Sequence, residues 1–112
     1  MPKDDAWLDR AFAALGDPVR RALVARLSRG EATVNDLAEP FTITKQAVSR
    51  HIQVLAAAGL ITRSRDGQRR PCRLEPAALE ALTGWIDEYR LAAERRYRRL
   101  DAVLERMKER DE

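Results

Sequence analysis

The sequence predicts a mainly α-helical chain that carries one small β-hairpin, in the order ααααββα. Apolar residues recur at helical spacing in five segments, and capping residues or prolines stand at the starts of these segments. A single Asp-Gly turn signal at residues 66–67 lies between two short extended runs. A chain of 112 residues has the size of one domain, and we expect one domain spanning 1-112.

Two helices at the start of the chain are predicted from their caps and their apolar spacing. Asp4 or Asp5 can cap the first helix, which Gly16 closes. Asp17 and Pro18 then supply an N-cap and a first-turn proline to the second helix. The apolar stripes are Leu8, Phe12 and Leu15, flanked by Trp7, Ala11 and Ala14, and then Val19, Leu23 and Leu27.

Two further helices follow, and the second of them is the longer. Thr33 and Asp36 form a capping-box pattern that opens a short third helix, which Pro40 interrupts. Thr44 can cap a fourth helix over residues 44-58. The inward faces are predicted to be Val34, Leu37 and Ala38 in the third helix, and Val48, Ile52 and Leu55 in the fourth.

The remainder of the chain is predicted to form a hairpin and one long helix. The hairpin covers residues 60-74, and Pro71 within it favours an edge strand because proline donates no ladder hydrogen bond. Pro76 opens the last helix, over 76-108, in which Gly84 marks a place for a bend or a break. Its apolar positions are Leu79, Leu82, Trp85, Ile86, Tyr89, Ala93, Tyr97, Leu100, Leu104 and Met107.

Positive charge is concentrated in one part of the sequence. The whole chain carries only +3 at neutral pH, but residues 44–73 hold seven basic residues and one acid, Asp66. This segment therefore carries +6 and the remainder −3. Nucleic acid binds to a local basic patch rather than to an average charge, so the distribution indicates a DNA-facing surface.

Several classes of protein are excluded by what the sequence lacks. It has no run of about 18 apolar residues and no apolar stretch in Met1-Pro2-Lys3-Asp4-Asp5, so we expect a cytoplasmic protein with no membrane partner. Cys72 and His51 are the single cysteine and the single histidine, so we expect no disulfide and no metal site. A lone strand cysteine indicates a packed side chain more than a redox sensor. No pattern of catalytic residues stands out, and we expect no enzyme activity and no cofactor.

A short helix, a tight connection, a longer capped helix and a basic hairpin together predict a winged helix-turn-helix. In this fold the longer helix enters the DNA major groove, where its polar side chains reach base edges, and the hairpin is a wing on phosphates or the minor groove. Thr44 and the free N–H groups at the helix start suit a phosphate. The candidate DNA-binding residues are Thr44, Lys45, Gln46, Ser49, Arg50 and Gln53 in the helix, and Arg63, Arg65, Arg69 and Arg70 in the wing.

Three segments carry a family resemblance: ALGDPVRRALVARL near the start, ITKQAVSRHIQVLAAAGLI over 43–61, and RSRDGQRRPCRLEP over 63–76. In this order, over roughly residues 5–90, they resemble the ArsR family of bacterial repressors. The resemblance implies a homodimer that binds an imperfect palindrome near a promoter and represses transcription, often of its own gene. It also implies that Lys45, Gln46, Ser49 and Arg50 face DNA, and that the hairpin arginines form the wing. His51 matches a common family histidine and joins the DNA-binding candidates, although contacts with neighbouring helices explain it more simply.

The terminal helices, about 5-15 and 76-108, carry more large apolar side chains than a core of this size ordinarily buries. We therefore expect them to form a dimer interface, which a palindrome requires. The alternative is that their aromatic residues cover the protomer's own core. The candidate dimerisation residues are Trp7, Leu8, Phe12, Trp85, Ile86, Tyr89, Tyr97, Leu100 and Leu104.

This sequence departs from the metal-sensing members of the resembled family. Those members carry cysteines on the third helix or histidine and carboxylate ligands on the last, whereas this chain has Val34-Asn35-Asp36-Leu37 in the former place and no histidine after His51. Two kinds of regulation are compatible with a member that lacks these metal ligands. The protein can repress its own gene with its concentration as the only input, or it can respond to a small molecule bound in a pocket at the dimer interface. A non-specific architectural DNA-binding protein and a winged-helix protein-association module are the alternative functions.

Overall fold

The computed structural model describes residues 4–111, so Met1, Pro2 and Lys3 lie outside the described residues. The chain divides into two compact units between Leu79 and Glu80, and each unit is described by itself. The elements are α1 (Asp5–Leu15), α2 (Pro18–Leu27), β1 (Ala32–Thr33), α3 (Val34–Ala38), α4 (Lys45–Ala57), β2 (Ile61–Arg63), β3 (Pro71–Leu74) and α5 (Pro76–Asp111). This mainly helical architecture with a small β-sheet confirms the predicted fold class and the order of the helices.

The first four helices begin at the caps that the sequence predicts. Side-chain oxygens of Asp4, Asp17, Thr33 and Thr44 accept hydrogen bonds of 2.7 to 3.2 Å from backbone N–H groups in the first turn of each helix. In α3, the Asp36 carboxylate completes the capping box by accepting from the Thr33 N–H at 3.1 Å. Each cap stabilises its helix by about 1 kcal/mol because it satisfies a donor that the helix leaves free.

The predicted hairpin is part of a three-stranded antiparallel sheet with the order β1-β3-β2. Strand β1 has two residues, too few for an alternating pattern, so the sequence did not reveal it. It pairs Thr33 with Pro71 and Ala32 with Cys72. Pro71 therefore begins the central strand, and the predicted edge position is wrong. A proline is tolerated there because the first residue of a strand can lack a donated ladder bond.

The core of the first unit is made by the inner faces of its helices and by the sheet. The apolar side of α4 is buried as predicted, and it lies at the centre of this core. The largest fully buried side chains are Leu23, Leu37, Val48, Ile52, Leu55, Leu60 and Cys72. Because the inner face of α4 is fixed in this way, its opposite face is held towards solvent.

Helix α1 buries a different face from the predicted main stripe. Its buried side chains are Trp7, Ala11 and Ala14, whereas Leu8 is half-buried and Phe12 is 39% exposed. Small alanine side chains allow α1 to pack closely, and the tryptophan fills the remaining space. Trp7 is thus a core residue of its own protomer, and the expectation that it lies on a dimer surface is wrong.

Trp7 also carries a testable contribution to stability. Its indole N–H donates a buried hydrogen bond of 3.0 Å to the carbonyl of Ala58, the C-cap residue of α4. Trp7→Phe keeps an aromatic ring but removes this donor, and we expect the free energy of unfolding to fall by about 1–3 kcal/mol. Urea denaturation followed by circular dichroism measures the change, and a loss below about 0.5 kcal/mol would contradict the assigned contact.

Helix α5 continues through Gly84 as one helix of 36 residues, so neither a break nor a second helix is present there. From residue 86 onwards, apolar residues spaced by three or four form a single line along it. We call this line the α5 stripe: Ile86, Tyr89, Ala93, Tyr97, Leu100, Leu104 and Met107, all of them exposed. Arg90 pairs with Asp87 at 3.1 Å and with Glu94 at 2.8 Å beside the stripe.

Candidate nucleic-acid interface

The exposed face of α4 holds the polar side chains that the sequence singles out for DNA reading. They line a shallow groove of about 490 Å³, and they are Lys45, Gln46, Ser49, Arg50 and Gln53. Ser49 is half-buried and the other four are exposed. Thr44 is the N-cap, and its hydroxyl accepts the Ala47 N–H at 3.1 Å. The helix therefore separates a buried apolar face from a continuous polar face, as predicted.

The wing is a tight turn that projects exposed arginines. Asp66 and Arg69 exchange two backbone hydrogen bonds of 3.0 Å, and Gly67 has a φ of +63°, which glycine adopts without strain. Arg63 ends β2, while Arg65, Arg69 and Arg70 lie between the two strands. All four arginines are exposed. The predicted turn and its basic rim are thus both present.

A second groove, of about 430 Å³, joins the wing to the helix-turn-helix. It is lined by Thr33, Val34, Asn35, Lys45, Ser49, Gln68, Arg69 and Arg70. Asn35 and Gln68 are not among the residues that the sequence indicated. The start of α3 lies beside the wing because β1 pairs with β3, and the sequence did not reveal β1. The groove brings three cations together with uncharged polar side chains.

The cations of this surface lack acidic partners. Among the described residues, Lys45, Arg50, Arg65, Arg69 and Arg70 form no ion pair within 4.0 Å. An arginine or lysine without an internal partner is available to a phosphate or to a base edge. The arrangement can therefore bind a polyanion at several points along α4 and the wing.

Asp36, an acid near the groove, already accepts hydrogen bonds within the protein. Hydrogen bonding from the backbone N–H of Thr33, followed by that from its hydroxyl, lowers the pKa of Asp36, and the charges of Arg26 and Arg69 lower it further. Asp36 therefore stays ionised as a cap at neutral pH. The Asp36 carboxylate forms no ion pair with Arg69 within 4.0 Å. Arg69 therefore remains available to a ligand in the groove.

His51 contacts neighbouring parts of the protein, as the simpler interpretation predicts. Its Nδ1 atom lies 3.1 Å from a terminal nitrogen of Arg20 and 3.8 Å from a carboxylate oxygen of Asp17. Arginine is always a donor, so Nδ1 is the acceptor of this hydrogen bond. The side chain is half-buried, with 22% of its surface exposed.

Cys72 is a packed core side chain, in agreement with the simpler interpretation. It is fully buried in β3, and burial raises the pKa of its thiol despite the opposing charge of Arg63. We expect a thiol-specific disulfide reagent to leave Cys72 unmodified in the native protein at neutral pH, and to modify it in urea. Rapid modification without denaturant, measured by absorbance and mass spectrometry, would contradict this environment.

Within residues 4–111, no group of three or more His, Cys, Asp or Glu side chains is placed to hold a metal ion. In the same part of the chain, no helix combines the length and apolar character needed to cross a membrane.

Comparison with known proteins agrees with this geometry. Residues 15–64 match the model of a helix-turn-helix domain family. The HTH-type transcriptional regulator Rv2034 of Mycobacterium tuberculosis is 41% identical over 81 residues, which are 72% of this chain and 76% of that protein. The transcriptional repressor SdpR of Bacillus subtilis is 33% identical over 79 residues, covering 70% of this chain and 88% of that repressor.

Solved structures show the same architecture. The ArsR family transcriptional regulator RHA00566 superimposes with a TM-score of 0.76 at 37% identity, covering 84% of this chain and 97% of that one. The homodimeric winged helix-turn-helix DNA-binding domain of Mb0332 from Mycobacterium bovis superimposes with a TM-score of 0.62 at 27% identity, covering 77% and 82%. The helix-turn-helix, the hairpin that follows it and these relatives together establish that the chain belongs to the ArsR family of winged helix-turn-helix transcriptional regulators.

Proposed function

We propose that this chain is a sequence-specific DNA-binding repressor that binds a palindromic operator as a homodimer. The observation that carries the proposal is the polar face of α4, which is exposed next to a basic wing while its apolar face is locked into the core. Helix 44–58 enters the major groove, and the wing 60–74 follows the phosphate backbone or the adjacent minor groove. The protein acts by occupying DNA and not as an enzyme.

The residues of the α4 face supply complementary kinds of base contact. Lys45 and Arg50 donate to the O6 and N7 atoms of guanine, and Gln46 and Gln53 can pair with adenine through both a donor and an acceptor. Ser49 serves a base or a phosphate. Thr44, at the start of the helix, is assigned to the phosphate backbone, where contacts set the register without reading sequence. His51 is left out of the proposed DNA contacts because its Nδ1 atom bonds to Arg20 within the protein.

The wing and the groove beside it supply affinity that does not depend on sequence. Arg63, Arg65, Arg69 and Arg70 form no ion pair within 4.0 Å in the described part of the chain, so each can neutralise a phosphate. Asn35 and Gln68 line the same groove and can donate side-chain N–H groups to a backbone oxygen. We therefore extend the proposed contact surface to these two residues.

The proposed homodimer rests on apolar surfaces that each unit leaves exposed. In the second unit, the α5 stripe runs from Ile86 to Met107, about 32 Å along the helix. In the first unit, Leu8 is half-buried and Phe12 is exposed on α1. Burying such surfaces against a second copy is favourable, and the similar Mb0332 domain is homodimeric. The proposed dimerisation residues are Leu8, Phe12, Trp85, Ile86, Tyr89, Tyr97, Leu100 and Leu104.

The regulatory input that fits this chain is its own concentration. The metal-sensing members of the family, as the sequence resemblance describes them, use cysteines on the third helix or histidine and carboxylate ligands on the last helix. In this chain the single cysteine is buried in a strand and the single histidine bonds to Arg20. Repression of its own gene requires only that the dimer bind its upstream operator. Repressor relatives such as SdpR support the negative sign of the regulation.

Competition binding tests the proposed function. Operators are first selected from a random-sequence duplex library with the full-length protein, and the selected duplex is then compared with a scrambled duplex of equal length at one fixed salt concentration. A dimer-sized shift that resists the scrambled competitor supports the proposal. Equal displacement by both duplexes would identify an architectural protein, and failure to select any duplex would favour the protein-association function.

A further inference from the structure

Arg20 connects three helices of the first unit. Its Nε atom donates to the Ala14 carbonyl at 2.6 Å, and one terminal nitrogen donates to the Ala13 carbonyl at 3.2 Å. The other terminal nitrogen lies 3.1 Å from Nδ1 of His51. Ala13 and Ala14 belong to the last turns of α1, Arg20 to the first turn of α2, and His51 to α4. A single guanidinium therefore joins the end of α1 to α4.

Asp17 holds the other side of this junction. Its carboxylate caps α2 by accepting from the N–H groups of Val19 and Arg20, at 2.8 and 3.1 Å, and lies 3.8 Å from Nδ1 of His51. The backbone hydrogen bond from Arg20 is the main cause that lowers the pKa of Asp17, so the cap is ionised at neutral pH. The His51 ring thus lies beside two fixed groups, the Arg20 guanidinium that donates to it and the Asp17 carboxylate 3.8 Å away.

We propose that Arg20 is a positioning residue for DNA reading, which sets the rotation of α4 about its axis through His51. This inference rests on the proposed function, because it assigns Arg20 a role in the operator contacts of that function. His51 lies beside the buried face of α4, so its fixed contact determines where Ser49 and Arg50 point on the other side. Side chains that read bases must be held to within about 0.5 Å of their productive position.

Arg21 provides a matched control for a purely structural role. One of its terminal nitrogens donates to the Leu15 carbonyl at 2.9 Å, so it also binds the end of α1. In the part of the chain that the structure describes, it forms no hydrogen bond or ion pair with α4. Arg21→Gln therefore removes a contact at the same helix end and leaves the junction with His51 intact.

Two substitutions of His51 test whether the hydrogen bond that it accepts from Arg20 matters, or only the presence of a side chain at this position. In His51→Asn the side-chain oxygen can occupy the place of Nδ1 and accept from Arg20, whereas His51→Leu offers no acceptor. We expect Arg20→Gln and His51→Leu each to weaken binding to the selected operator by about 10-fold. His51→Asn and Arg21→Gln are expected to stay within about 3-fold of the parent, and the Arg20→Gln/His51→Leu pair is expected to be no worse than either single variant.

A second measurement, made on the free protein without DNA, tests whether Arg20 holds α4 in place. Hydrogen exchange of the α4 backbone amides in the free full-length protein is expected to accelerate in Arg20→Gln and in His51→Leu, but not in His51→Asn or Arg21→Gln. Equal losses in Arg20→Gln and Arg21→Gln, a failure of His51→Asn to restore binding, or additive losses in the double variant would overturn the inference. If the parent protein selects no operator, the proposed function fails, while the exchange pattern still decides whether Arg20 positions α4.

Discussion

Arg50→Ala is expected to weaken binding to the selected operator by about 10- to 100-fold, and binding to a scrambled duplex by no more than about 3-fold. Arg50 lies on the exposed face of α4 and forms no ion pair within the described residues, so its guanidinium is available to a guanine edge. An exposed side chain of this kind contributes little to folding, so the variant should unfold with nearly the parent free energy. Fluorescence anisotropy with both duplexes at one salt concentration measures the two affinities.

The wing provides the control for this experiment. Arg69→Ala removes a cation of the same type from the groove beside α4, and we expect it to weaken both duplexes about equally. We also expect it to reduce the slope of log affinity against log salt by about 1. If Arg50→Ala and Arg69→Ala reduce specific and non-specific binding in the same proportion, the assignment of α4 as the reading helix is wrong.

Leu100→Glu combined with Leu104→Glu is expected to convert the dimer into a monomer and to weaken operator binding by more than about 100-fold. Both leucines lie on the α5 stripe, and they are 54% and 48% exposed in the single chain. In a dimer each copy would bury two carboxylates without partners, which is strongly unfavourable. Analytical ultracentrifugation gives the oligomeric state, and anisotropy with the selected operator gives the affinity.

A matched double variant on the opposite side of the same helix separates dimer loss from a general effect of charge. Leu91 and Ala102 are both exposed, are eleven residues apart, and face away from the α5 stripe. Leu91→Glu combined with Ala102→Glu adds the same charge, and we expect it to leave the dimer and the operator affinity near their parent values. Similar dissociation of both double variants would show that the α5 stripe is not the dimer surface.

The elements that local chemistry determines were predictable from the sequence. Asp17 followed by Pro18 fixes the start of α2, and the Thr33 and Asp36 capping box fixes the start of α3, because each pattern satisfies helix N–H groups within one turn. The two faces of α4 were predictable for a similar reason, since helical spacing alone separates its apolar from its polar residues. The same spacing identified the residues of the polar face, Lys45, Gln46, Ser49, Arg50 and Gln53.

Features that depend on contacts distant in the sequence were not predictable in the same way. Strand β1 exists because Ala32 and Thr33 pair with residues of β3 nearly forty positions later, and this pairing places Pro71 in the central strand. Asn35 joins the candidate surface for the same reason. In α1, the choice between the Trp7 side and the Phe12 side depends on which face packs against the rest of the first unit.

The contact of Arg20 with His51 spans 31 positions and involves residues that no periodic pattern distinguishes. Both residues lie in segments that carry the family resemblance, yet the sequence alone pointed to no contact between them. Local patterns therefore reveal the reading surface, whereas the means by which the fold orients that surface becomes visible only in three dimensions.

Hydroxyl-radical footprinting on the selected operator tests most directly whether two recognition helices read one symmetric site. The proposed dimer predicts two protected regions related by a dyad, with centres about one helical turn, or 10 to 10.5 base pairs, apart or at a small multiple of that spacing. Arg50→Ala at a concentration that restores occupancy should retain this spacing. A single protected region without a dyad, or uniform protection along the duplex, would contradict the dimeric reading of DNA.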